Sequence, residues 1–152
     1  MSGQESSLAD AVARLRRAMR RAARAKDPST TLSVAQLELL SSLAERPGAR
    51  PSQVARSLHL APNSVTTLVN GLEKRGMITR SGGDDRRTVS LRLTPEGTKA
   101  VRGWQATNDA ILRAAVDHLE PGWRHLLLAA LPALDELVRA IDTVADPAEP
   151  PA

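Results

Sequence analysis

The chain has 152 residues, which suits one small domain or one module with extensions. It contains no cysteine, which excludes a disulfide framework, a Cys-ligated zinc finger, an iron–sulfur cluster and a thiol redox sensor. The net charge is +4 and the only aromatic residues are Trp104 and Trp123, so the core must be built from Leu, Val, Ala and Ile, which favours helices over β-rich packing.

No apolar run approaches the roughly 18–20 residues of a membrane span. The N-terminus has no apolar h-region, so it does not read as a signal peptide. The expectation is a soluble, cytoplasmic protein with no membrane partner. Charge is unevenly placed: residues 1–26 sum to +5, residues 27–45 to −3, residues 46–92 to +6 and residues 93–152 to −4. An Arg-rich face is often merely solvated. In residues 46–92, however, the bases fall beside a motif, and a basic segment in an otherwise mildly acidic chain is the electrostatic footprint of a polyanion partner.

Leu8, Val12, Leu15, Met19 and Ala22 recur at spacings of four, three, four and three, an apolar seam along one helix face. Arg14, Arg16, Arg17, Arg20, Arg21 and Arg24 fill the other faces, and Asp27-Pro28 ends the helix. Ser33 has the place of an N-cap with Gln36 as its capping-box partner. Val34, Leu37, Leu40 and Leu43, widened by Leu39 and Ala44, predict a helix stopped by Pro47-Gly48. Pro51 suits a first helical turn, and Val54, Ala55 and Leu58 form a short apolar face behind it. Pro62 opens another helix with Val65, Leu68, Val69 and Leu72 inward and Gly76 as its stop. Two short helices about a tight turn at residues 58–61 have helix-turn-helix spacing.

Met77–Arg80 and Val89–Leu93 are predicted strands, joined through the turn cluster Ser81-Gly82-Gly83-Asp84-Asp85 into a hairpin with a polar, basic tip. After a helix-turn-helix such a hairpin is a wing. Thr94-Pro95-Glu96 starts a long helix with Val101, Trp104, Ile111, Ala115 and Leu119 along one side. Pro121-Gly122 opens the last helix, where Leu127, Leu131, Leu134, Val138 and Ile141 repeat at four, three, four and three. Pro132 is expected to kink that helix or remove one hydrogen bond. The tail, residues 147–152, holds three prolines and is expected to be disordered.

The predicted fold class is mainly α with a small β-hairpin wing. Residues 1–31 are an N-terminal dimerisation helix, residues 32–93 a winged helix-turn-helix and residues 94–146 C-terminal dimerisation helices. The end seams are longer than a chain of this size can cover, and the simplest solution is a symmetric homodimer with the end helices intertwined.

The segment 85–94, read DRRTVSLRLT, together with MITR at 77–80, PNSVTTLVNGLEKRG at 62–76 and TPEG at 94–97, resembles the MarR family of winged-helix transcriptional regulators. The resemblance runs from about Leu32 to Gly97 at motif level and over nearly the whole chain in helix order. The Asp-x-Arg wing in register with the helix-turn-helix makes it specific. It implies a homodimer joined by its N- and C-terminal helices. It also implies two recognition helices in successive major grooves of a pseudo-palindromic operator in double-stranded DNA. Finally, it implies a cleft for a small, often aromatic effector that releases the DNA.

In the second helix of the motif, Val65, Leu68 and Leu72 face inward, which leaves Pro62, Asn63, Ser64, Thr66 and Thr67 outward near its start and Asn70 one turn on. Helix N-termini approach bases in this docking mode. Asn pairs bidentately with adenine, Ser and Thr serve several bases, and Thr methyls touch thymine methyls. The stretch has no Arg or Lys, so guanine readout by a basic side chain is expected to be weak. Ala61 stands where the family often has a Ser cap, and Pro62 partly compensates. Arg87 matches the family's minor-groove arginine, favoured where A·T-rich DNA narrows the groove. Arg86 is expected at phosphate, and Asp85 is expected to hold the wing by pairing with an Arg or capping the turn. Arg50, Arg56, Lys74, Arg75 and Arg80 flank the motif as phosphate candidates, with Ser52 and Gln53 at the start of the preceding helix.

Trp104 lies on the helix that lines the family's ligand cleft and is the candidate for ligand contact. His118, Glu120 and His125 fit no compact metal pattern, so no metal or cofactor is expected. Catalysis is not expected either, for the sequence offers no nucleophile–base signature, no phosphate loop and no clustered carboxylates. The leading reading is a DNA-binding regulator, most simply a repressor. The alternative is a winged-helix module that binds protein without specific DNA binding, against which the intact Asp85/Arg87 wing argues.

Overall fold

The computed structural model describes residues 3–82 and 89–145. Among them the order is α1 (Gly3–Lys26), α2 (Val34–Glu45), α3 (Pro51–Ser57), α4 (Pro62–Lys74), β1 (Ile78–Ser81), β2 (Ser90–Leu93), α5 (Pro95–Asp117), α6 (Pro121–Ala129) and α7 (Leu131–Ala145). The wing residues Asp85, Arg86 and Arg87 and the tail 147–152 lie outside the described residues. The chain divides into two compact units between Ile111 and Leu112. Among the described residues, no helix is long and apolar enough to cross a membrane.

In the first unit the helix ends follow from side-chain chemistry. The Asp27 carboxylate accepts from the Ser29 hydroxyl at 2.5 Å and the Thr30 hydroxyl at 2.7 Å, closing the turn after α1. These donors hold the Asp27 carboxyl below the ordinary carboxylate range. Ser33 Oγ accepts from Gln36 N–H at 3.1 Å while Gln36 Oε1 accepts from Ser33 N–H at 3.0 Å, the reciprocal capping box expected for α2.

α3 and α4 end in the same way. After α3, Leu60 N–H donates to Ala55 O at 2.9 Å and His59 N–H to Arg56 O at 3.2 Å. After α4, Met77 N–H donates to Leu72 O at 3.0 Å and Gly76 N–H to Glu73 O at 2.9 Å. Both are Schellman closures, which need one left-handed residue. Gly76 supplies it at φ +69°, and in the helix-turn-helix turn His59 supplies it at φ +51°. Because Met77 is used in this closure, β1 starts at Ile78, one residue later than predicted.

β1 and β2 pair antiparallel from Ile78↔Leu93 to Ser81↔Ser90, and the Ser81 and Ser90 hydroxyls meet at 2.9 Å. Gly48 N–H donates to Leu91 O at 3.0 Å and Leu91 N–H to Ala49 O at 2.9 Å, so the loop after α2 is laid against β2. The core gathers Leu39, Leu40 and Leu43 of α2, Val54 of α3, Val65, Val69 and Leu72 of α4, Ile78 of β1, Leu91 of β2 and Val101 of α5. Leu68 is only partly buried at its edge. Three expected core positions of α2 are not in it: the buried arc centres on Leu39, Leu40 and Leu43, with Leu37 buried beside the cluster and Val34 and Ala44 exposed. Each fully buried aliphatic side chain contributes roughly 1.5–3 kcal/mol.

Among the described residues of the second unit there is no comparable core. α6 buries no residue, and Trp123, Leu126, Leu128, Leu131, Val138 and Ile141 are about half exposed or more. The single last helix expected from the sequence is two. Pro132 has no N–H to offer the Leu128 carbonyl and its ring would collide there, so α6 stops at Ala129 and the chain restarts with Pro132 in the first turn of α7. Arg124 donates from Nη2 to Asp117 O at 2.7 Å and from Nε to Val116 O at 3.2 Å, capping the end of α5.

Candidate nucleic-acid interface

Burial of Val65, Val69 and Leu72 fixes the rotation of α4 and turns Pro62, Asn63, Ser64, Thr66, Thr67 and Asn70 to solvent. Asn63, Thr66, Thr67 and Asn70 follow one another at helical spacing and make one exposed ridge. The structure thus brings together the six positions singled out on this helix.

Their hydrogen-bonding state narrows what the ridge can do. Thr66 Oγ1 donates to Pro62 O and Thr67 Oγ1 to Asn63 O, each at 3.0 Å. With the hydroxyl hydrogens spent on the preceding turn, both oxygens face outward only as acceptors, beside their methyl groups. At the helix start Ala61 provides no side-chain cap and Pro62 occupies the first turn. The first helical bond is Val65 N–H to Ala61 O at 3.2 Å. The Asn63 and Ser64 N–H groups therefore precede that ladder, at the positive end of the helix dipole, where an anion is favoured.

Arg80 is turned onto α4. Its Nε donates to Glu73 Oε2 at 3.0 Å and its Nη2 donates to Asn70 Oδ1. Glu73 carries no mark in the sequence, because it meets Arg80 across the α4–β1 turn, at a separation that no helix or strand period shows. Arg56 and Arg75 are exposed on the same unit, at the end of α3 and just past α4. Gln53 Oε1 accepts from Arg50 N–H at 2.9 Å, which leaves its amide N–H groups to donate outward.

Trp104 is half-buried on α5. A shallow groove of about 720 Å³ opens beside the start of that helix, lined by Leu93, Thr94, Pro95, Thr98, Lys99, Arg102 and Gly103, and Trp104 is not among its walls. His118 Nδ1 lies 2.7 Å from Ala114 O. Among the described residues no three His, Asp or Glu side chains converge as a metal site.

A family model described as the MarR family matches residues 32–89, which span the helix-turn-helix and β1 and stop just before β2. Over this segment the chain is similar to the MarR family. It is 36% identical over 64 residues to the HTH-type transcriptional repressor MdtR of Bacillus subtilis, a match covering 41% of each protein. The chain thus spans about two-fifths of that relative's length in the match. Solved structures share the fold over most of the chain. FabT of Streptococcus pneumoniae, solved in complex with DNA, superposes with a TM-score of 0.71 at 21% identity over 91% of this chain and 99% of that one. A MarR family protein from Bacillus stearothermophilus gives 0.72 at 17% identity, covering 91% of this chain and 99% of its own. MepR of Staphylococcus aureus, a regulator of the multidrug efflux pump MepA, gives 0.69 at 20%, covering 84% of this chain and 95% of that one. At these identities the likeness establishes the winged helix-turn-helix fold.

Proposed function

We propose that this chain is a homodimeric, sequence-specific DNA-binding transcriptional regulator of the MarR family, acting as a repressor that a small aromatic effector releases. The observation that carries the reading is the exposed ridge of α4 with its uncapped N-terminus, set in a segment of net charge +6. The MarR-type relative named as a repressor and the fold neighbour solved with DNA support it. Pro62, Asn63, Ser64, Thr66, Thr67 and Asn70 face base edges in the major groove, Arg56 and Arg75 meet phosphates, and Arg87 enters the minor groove beside Arg86.

A second copy of the chain covers the apolar seams on α1, α6 and α7, where Leu8, Val12 and Leu15 and the leucines of the second unit are exposed. Two copies present two α4 helices to a pseudo-palindromic operator. Trp104 is the residue offered to the effector. Such a ligand lowers DNA affinity only by binding better to a spacing of the two α4 helices that the operator does not match.

The test is binding of the purified protein to the intergenic duplex upstream of its own gene and to a scrambled duplex, over a salt series. Tight, selective binding that weakens steeply with salt supports the regulator. Equal, weak binding to both duplexes, repeated with a selected pool of random sequences, overturns it in favour of a protein-binding winged helix.

A further inference from the structure

The contact between Arg80 and Asn70 has a chemical direction. A guanidinium has five donors and no acceptor, so Arg80 Nη2 can approach the Asn70 amide favourably only from its oxygen side. The same guanidinium is anchored by Glu73 through Nε at 3.0 Å, which fixes it between the two α4 side chains. Asn70 Oδ1 is thereby engaged toward β1, and its NH₂ group is left for the solvent face of the helix. An asparagine that pairs with adenine needs both ends of its amide, the oxygen for N6–H and the nitrogen for N7. An asparagine whose oxygen is held elsewhere offers two N–H donors alone. In the major groove, two neighbouring acceptors on one base are the mark of guanine, N7 and O6.

We infer that Asn70 is a specificity-determining residue that selects guanine through its NH₂ group, and that Arg80 is a positioning residue that sets the polarity of that amide. The inference rests on the DNA-binding reading above. It divides the α4 ridge into two kinds of surface. Thr66 and Thr67 present acceptors and methyls to bases that donate or carry a methyl, and Asn70, one turn on, presents donors only. It also moves Arg80 from the phosphate contacts to the machinery of base reading, without its touching DNA.

The test is selection from random-sequence duplexes by the full-length wild type, by Asn70→Asp and by Arg80→Met. Each selection is paired with thermal unfolding and a salt series on the motif that the wild type enriches. Asn70→Asp keeps a partner for Arg80, so its melting temperature is held or raised, whereas its donors are gone and a carboxylate faces the base. The expected result is loss of preference at one guanine in each half-site, with binding to the wild-type motif weakened about tenfold or more. Arg80→Met is expected to relax the same base pair while leaving the salt slope unchanged. Should that variant unfold, Arg80→Lys, which keeps the charge but cannot fork between Glu73 and Asn70, gives the same reading.

An Asn70→Asp protein that still selects the unaltered motif overturns the inference. So does an Arg80 variant that keeps the motif but binds every duplex more weakly with a shallower salt slope, for that is the behaviour of a phosphate contact. A wild type that enriches no sequence at all removes the DNA-binding reading itself, and this inference with it.

Discussion

The hydroxyl of Thr94 donates to the carbonyl of Gly76 at 2.6 Å and accepts the N–H of Gly97 at 3.1 Å. One side chain thus caps α5 and ties it to the end of α4. The Thr94 N–H donates to Met77 O at 3.0 Å, completing the junction. Gly97 is required there by space, since a Cβ would fall 2.1 Å from Met77 O. Gly97→Ala is expected to cost about 3 kcal/mol, the upper end for overpacking. Thr94→Val is expected to cost about 1–2 kcal/mol for the lost cap. Urea unfolding of the two variants measures both, and a Gly97→Ala protein as stable as the wild type would show that the junction can shift.

His59 holds the left-handed position of the helix-turn-helix turn, where Gly76 does the same duty after α4. A β-branched residue tolerates that conformation least. His59→Val is expected to destabilise the protein by about 1–2 kcal/mol. His59→Gly is expected to stay within about 0.5 kcal/mol of the wild type, because relief of backbone strain offsets the greater freedom of glycine in the unfolded chain. Equal melting temperatures for the valine and glycine variants would contradict this account.

Arg124 supplies hydrogen bonds to two carbonyls at the end of α5 in a unit with little buried surface. Arg124→Met, which keeps the aliphatic stem, is expected to cost about 1–2 kcal/mol. Arg124→Lys should recover only part of it, since one ammonium does not reproduce a planar fork. Thermal melts of the three proteins decide the matter, and full recovery by lysine would make the effect one of charge alone.

Leu131, 49% exposed at the start of α7, lies on the seam proposed to meet a second copy. Leu131→Asp is expected to yield monomers in sedimentation velocity and to lose tight DNA binding with them. A dimeric variant, or a monomer that binds the operator as well as the wild type, would count against the proposed assembly.

Arg87 is expected to read the minor groove. Arg87→Ala should weaken operator binding by about 1–3 kcal/mol while the dimer persists, as measured by fluorescence anisotropy alongside sedimentation. Unchanged affinity would remove the wing from the binding mode.

Features with local causes were legible in the sequence. The Ser33–Gln36 capping box, Pro51 and Pro62 in first turns, Gly76 as a stop and Thr94 as a cap are each chosen by groups within a few residues, and each stands where expected. The alternation Val89, Leu91, Leu93 placed β2 correctly to within one residue. The inward set of α4 was legible because period and core agree, and it carried the outward ridge with it.

What the sequence concealed depends on partners distant along the chain. The pairing of Gly48 and Ala49 with Leu91 is made by backbone groups, which carry no residue signature. Nothing in the sequence marks Arg124, because the helix it caps is not its own. Arg80 looked like a phosphate contact because charge was legible and its Glu73 and Asn70 partners were not. The break at Ala130 is a matter of degree: Pro132 stands in plain view in the sequence, but whether a proline bends a helix or divides it depends on the packing around it. The loss of Val34 from the core has the same origin, since periodicity gives the face of a helix and not where its cover ends.

The second unit's lack of buried residues in α6 has a consequence for dosage. On the proposed assembly, those leucines leave water only when two chains meet, so this part of the protein gains stability as it dimerises. At low expression the competent species then falls faster than the supply of chain, and newly made copies are exposed to proteolysis until they find one another. A gene controlled by such a protein would respond to the abundance of its regulator with a threshold, before any effector is present.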